Sequence, residues 1–142
     1  MDRKTILVVD DDDATRSSLS SILASDVVAV RTASTRKEAE RLIETERFDL
    51  AIVDLSLTGR VGMEGLELIS KIKERAPQTV VAVLTGYGSP EIEREARRRG
   101  ADQYWEKTLP IPALVERIRA LGIPVGPERE KNGSGFAAFN GG

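Results

Sequence analysis

Five short apolar runs, at residues 5–9, 27–30, 50–53, 80–84 and 103–106, alternate with longer stretches whose apolar residues recur at helical spacing. Runs of Val, Ile and Leu without polar alternation predict strands buried on both faces. Strands joined by helix-length connections must pair in parallel, because a parallel neighbour needs a crossover of about a dozen residues. The pattern therefore leaves little besides a β-α unit repeated five times.

The helical stretches carry their own boundary signals. Leu19, Ile22 and Leu23 form an apolar stripe, and Thr35-Arg36-Lys37-Glu38 reads as a capping box before Ala39, Leu42 and Ile43. Leu66, Ile69 and Ile72 mark a third helix. Ser89 and Pro90 supply a cap and a first-turn proline to a fourth, which opens with Glu91 and Glu93 and closes with Arg97, Arg98 and Arg99 before Gly100, a charge order that complements the helix dipole. Leu114, Val115, Ile118 and Leu121 mark the last. The expected architecture is α/β: a doubly wound five-stranded parallel sheet of flavodoxin-like order 2-1-3-4-5, in three αβα layers.

At 142 residues the chain fits one domain, placed here at 1–122, followed by a Pro-, Gly- and charge-rich tail at 123–142 expected to lack a packed fold. Phe136 and Phe139 in that tail could dock on a partner or back on the domain. No apolar run is long enough for a membrane span, and the N-terminus lacks a secretory layout, so a cytoplasmic location and no membrane partner are expected. The net charge of −2 argues against direct nucleic-acid binding. With no Cys and no His, thiolate chemistry, Ser-His-Asp catalysis and soft metal sites are excluded, and any metal must be held by oxygen, as magnesium, calcium or manganese are.

The apolar runs stop at polar residues: Asp10 and Asp11 after the first, Asp54 after the third, Thr85 after the fourth and Lys107 after the fifth. In an open parallel sheet the carboxyl ends of the strands share one edge, where ligands bind. Adjacent acids at a buried strand end repel each other, a cost a purely structural role leaves unexplained. Asp10, Asp11 and Asp54 can hold a hard divalent cation with room for a phosphoryl oxygen. Asp54, on the central run, is the best-placed nucleophile, since a carboxylate can attack phosphorus to give an aspartyl phosphate. Lys107 and the cation would neutralise the transferring oxygens, and Thr85 would donate a hydrogen bond. Asp12 and Asp13 suit the start of the first helix.

The segments "ILVVDDD", "FDLAIVDLSL", "GLELI", "VVAVLTGYG" and "GADQYWEK" closely resemble the receiver domain of two-component response regulators, over about residues 4–122. "LTGYGS" and "DLSL" look most like the redox and photosynthesis regulator branch. The resemblance implies that Asp54 accepts phosphate from a sensor histidine kinase or a phosphotransfer protein. Asp11 and Asp54 would bind Mg2+ directly, Asp10 through water, and Ser56 through its backbone carbonyl. Thr85 and Tyr104 would form the switch that passes the signal to a downstream output protein, and Ser56 and Tyr87 would flank the hydrolytic water, with slow autodephosphorylation the expectation. Lys107 is followed by Thr108 where the family usually has a cis-bonded proline, and the stretch 58–63 is longer than usual.

Two further readings stay open at this level. One is a small haloacid-dehalogenase-like phosphatase, with Asp10 as nucleophile and Asp12 as general acid; the other is a receiver-like interaction module that takes no phosphate. The first reading implies no turnover of an external substrate. Its output surface, on the fourth helix, fifth strand and fifth helix, carries Arg97, Arg98, Asp102, Glu106, Glu116, Arg117 and Arg119, a mixed set capable of self-complementary pairing in a homodimer, or else a solvated charged face.

Overall fold

A computed structural model describes residues 3–55, 63–86 and 88–126; Ser56, Tyr87, residues 58–62, Phe136 and Phe139 lie outside the described residues. Five strands alternate with five helices: β1 (Lys4–Val9), α1 (Asp13–Leu23), β2 (Val28–Ala33), α2 (Arg36–Thr45), β3 (Leu50–Val53), α3 (Met63–Arg75), β4 (Val80–Thr85), α4 (Pro90–Arg98), β5 (Gln103–Glu106) and α5 (Ile111–Ala120). All pairings are parallel, in the order β2-β1-β3-β4-β5. This is the expected flavodoxin-like order.

Successive side chains along a strand face opposite sides of the sheet. Leu7, Val9, Ala51, Val53, Val81 and Val83 therefore pack with α2, α3 and α4 in one core. Ile6, Val8, Ile52, Leu84 and Trp105 pack with α1 and α5 in the other. The helix caps are those the sequence marks. Thr35 accepts from the Glu38 amide at 3.1 Å, while the Glu38 carboxylate accepts from the Ser34 amide at 2.8 Å, one residue upstream of the reciprocal position in a capping box. Ser89 accepts from the Ile92 amide at 3.1 Å.

The largest boundary differences from the sequence reading are at β2 and after α5. β2 runs three residues past its apolar stretch, paired in register from Lys4↔Val28 to Val9↔Ala33. It is an edge strand, so its ladder continues through Arg31 and Thr32, whose side chains are exposed. The packed region also continues beyond residue 122. Gly122, at φ 92°, reverses the chain after α5 and returns Ile123 and Val125 to the α1–α5 core, where both are buried. Arg119 Nε holds the return by donating to the Val125 carbonyl at 2.8 Å.

Candidate functional site at the carboxyl edge of the sheet

Asp10, Asp54 and Lys107, each the first residue after its strand, are held by one more rung of the ladder. The Asp10 amide donates to the Ala33 carbonyl at 3.1 Å, the Asp54 amide to Val9 at 2.9 Å, and the Lys107 amide to Thr85 at 3.0 Å. Val9 and Val53 are register partners, which brings Asp10 and Asp54 to neighbouring positions on adjacent strands. Carboxylate oxygens of Asp10, Asp11 and Asp54 lie within 4.8 Å of one another. Asp10 and Asp54 are buried and Asp11 is exposed, so the cluster opens toward solvent on the Asp11 side.

Lys107 reaches across β4 to this pair. Its ammonium sits 2.8 Å from Asp10 Oδ2 and 3.3 Å from Asp54 Oδ2. Among the described residues there is no cis peptide bond, so the Lys107–Thr108 bond is trans, and the rung to Thr85 still delivers the side chain. Burial pushes the Asp10 carboxyl above its ordinary range, against hydrogen bonds from Lys107 and the Asp12 amide, with Asp54 adding to the rise. Burial works against the Lys107 charge, but the hydrogen bond to Asp10 and the field of Asp54 outweigh it, and its pKa is raised. Three converging carboxylates are hard oxygen donors of the kind magnesium takes, and the residues fit such an ion.

The Asp12 carboxylate, unlike its amide, is engaged outside the cluster. It caps α1, with Oδ2 accepting from the Thr15 amide at 3.0 Å and the Thr15 hydroxyl at 2.5 Å. Those two bonds hold its carboxyl below the ordinary range, the opposite of what a general acid requires.

Thr85 is fully buried at the end of β4. By alternation it faces the α2–α3–α4 side with Val81 and Val83, the side on which Tyr104 packs. Tyr104, the register partner of Val83, packs on that core. Its hydroxyl is buried against Gly88, where an added Cβ would lie 2.0 Å from Oη and 3.0 Å from Cζ. The Ser89 main chain is close enough to act on the phenol but not in hydrogen-bond geometry, and burial raises the phenol's pKa. Gly88 was not singled out by sequence, because its role depends on a side chain sixteen residues later in the chain. Arg16 was also missed. Its signal was a cation in the first turn of α1, where the dipole disfavours positive charge.

The profile of the response regulator receiver domain matches residues 6–119. Among solved structures, a receiver domain protein (CheY-like) from Methanospirillum hungatei is 36% identical, with a TM-score of 0.78 over 84% of this chain and 94% of that one. A Burkholderia pseudomallei response regulator, solved with a phosphorylated aspartic acid, a calcium ion and citrate, is 31% identical, with a TM-score of 0.72 over 82% of this chain and 71% of that one. The response regulator PilR of Pseudomonas aeruginosa is 34% identical over 131 residues, which are 92% of this chain and 29% of that protein. This chain belongs to the response regulator receiver family. It spans only 26–49% of the curated relatives it matches, which are longer proteins.

Proposed function

We propose that Asp54 accepts a phosphoryl group, in a magnesium-dependent reaction, from the phosphohistidine of a sensor kinase or phosphotransfer protein in the cytoplasm, and that the domain turns over no other substrate. The observation that carries this reading is the buried Asp54 carboxylate, held at the central strand end beside Asp10, Asp11 and the Lys107 ammonium. In the transfer a carboxylate oxygen of Asp54 bonds to phosphorus as the donor's nitrogen–phosphorus bond breaks. Lys107 offsets charge on the transferred oxygens, and Thr85 donates a hydrogen bond to one of them. Asp11 and Asp54, with Asp10 and Ser56, would hold a magnesium ion, which would supply the remaining charge neutralisation. The phosphorylated aspartate and calcium of the Burkholderia relative support the same assignment here.

A donor must approach from the carboxyl edge. A groove of about 250 Å3 that Lys107 helps to line is mostly apolar, with Leu19, Leu84, Ile111 and Leu114 beside Thr15 and Ser18, and offers a seat for a helical donor. For output, Thr85 moves toward the phosphoryl group and Tyr104 follows, altering the face formed by α4, β5 and α5. Many charges of that face pair within the protomer: Arg97 with Glu93, Arg98 with Glu95, Asp102 with Lys73, and Arg119 with Glu116. Exchanging them for pairs across a homodimer returns little, since exposed pairs contribute about 0–1 kcal/mol each. A separate downstream protein is therefore the preferred partner.

The test is incubation of the full chain with acetyl phosphate, with and without magnesium, followed by intact mass and peptide mapping. One phosphoryl group on Asp54, lost in Asp54→Asn while the fold is retained, is the expected result. Label persisting in that variant, label on Asp10, or no label with magnesium present would refute the assignment.

A further inference from the structure

Of the three acids in the cluster, Asp11 has the least support from the sheet. Asp10 and Asp54 are pinned by ladder bonds to Ala33 and Val9, whereas Asp11 lies one residue further out and is exposed. The direction in which its Cα–Cβ bond leaves the loop depends on the orientation of the Asp10–Asp11 peptide. The carbonyl of that peptide accepts a hydrogen bond from Arg16 Nη1 at 2.6 Å. The same guanidinium pairs through Nη2 with Asp13, and its side chain is only 18% exposed. It thus bridges the end of β1 and the first turn of α1, lying across the loop that carries the acids. Its charge also acts on Asp12 and on Glu38 at the start of α2.

A cation in the first turn of a helix is unfavourable with respect to the dipole, so the contacts must offset that cost. A planar fork can hold a carbonyl with one arm and a carboxylate with the other in fixed relative orientation, which a lysine ammonium cannot reproduce. We propose that Arg16 is a positioning residue for the cation-binding loop: by clamping the Asp10–Asp11 peptide it keeps the Asp11 carboxylate turned toward Asp10 and Asp54. The proposal rests on the reading of these acids as a magnesium site.

Charge balance and clamping predict opposite signs. If Arg16 only offsets four consecutive acids, removing its charge draws magnesium in more strongly. If it clamps the loop, losing it weakens binding although the field becomes more negative. Magnesium titration of the full chain by calorimetry, for wild type, Arg16→Lys and Arg16→Met, separates the two. Both variants are expected to bind about tenfold more weakly, the lower end of the effect of residues that orient metal ligands. Tighter or unchanged binding in Arg16→Met, with Arg16→Lys like wild type, overturns the clamp. A metal-free readout keeps the proposal separable from the magnesium reading. Should wild type bind no magnesium, that reading fails, and amide hydrogen exchange at Asp11 and Asp12 decides: faster exchange in both variants upholds the clamp, and unchanged exchange refutes it.

Discussion

Gly65→Ala places a methyl group where α3 meets the end of β3, and two opposed effects decide its outcome. Gly65 lies in the first turn of α3, and an added Cβ would stand 2.6 Å from Leu55 Cα, 2.9 Å from the Asp54 carbonyl oxygen and 3.1 Å from Leu55 Cδ2. Alanine improves helix propensity by up to about 1 kcal/mol. Overpacking costs about 1–3 kcal/mol, and the upper part of that range applies because the two nearest atoms are backbone just past the end of β3 and cannot rotate aside. The net expectation is a loss of about 2 kcal/mol. With a urea dependence of about 2 kcal/mol per molar, the unfolding midpoint falls by about 1 M. Because one of the crowded atoms belongs to Asp54, phosphorylation by acetyl phosphate should slow as well. Gly86→Ala is the control: its Cβ would meet Lys107 Cδ at 3.9 Å, an ordinary contact, and stability should stay within about 0.5 kcal/mol. A Gly65→Ala protein as stable as wild type would show that α3 can move away from β3 at no cost, and the close-approach argument would fail.

Other substitutions test the electrostatics and the switch. Burial raises the Asp10 carboxyl, so its share of stability is present below the ordinary aspartate pKa of 3.8 and is lost as pH rises through the folded value. Without magnesium, Asp10→Asn should therefore resist urea better than wild type at pH 7, with the gap closing in acid; a less stable variant at pH 7 would mean that the Lys107 pair outweighs desolvation. Gly88→Ala should expel the Tyr104 ring from its seat, since Cβ and Oη cannot share 2.0 Å. Its phenol, raised chiefly by burial, should then titrate closer to the ordinary 10.0 in absorbance difference spectra against Tyr104→Phe, and an unshifted titration would refute the steric link.

The response of this chain to its own sequence is local where the signal is local. The parallel β-α repeat and the burial of its strands were legible because continuous apolar runs and helical spacing are properties of neighbouring residues. The caps at Thr35 and Ser89 were legible for the same reason. Asp10, Asp11, Asp54, Thr85 and Lys107 were legible because each follows or ends an apolar run, and a parallel sheet collects such positions on one edge. What needed the tertiary structure were contacts between segments that no local pattern relates. The continuation of β2 through Arg31 and Thr32 depends on pairing with β1, which satisfies the backbone whatever the side chains are. Ile123 and Val125 join the core only because Gly122 turns the chain back over it. Lys107 meets both Asp10 and Asp54 because β4 and β5 complete the sheet beside β3, and the Arg16 bond to the Asp10 carbonyl depends on how α1 leaves β1. Sequence patterning specifies which face each element buries, and the packed sheet sets the distances at which its charged side chains meet.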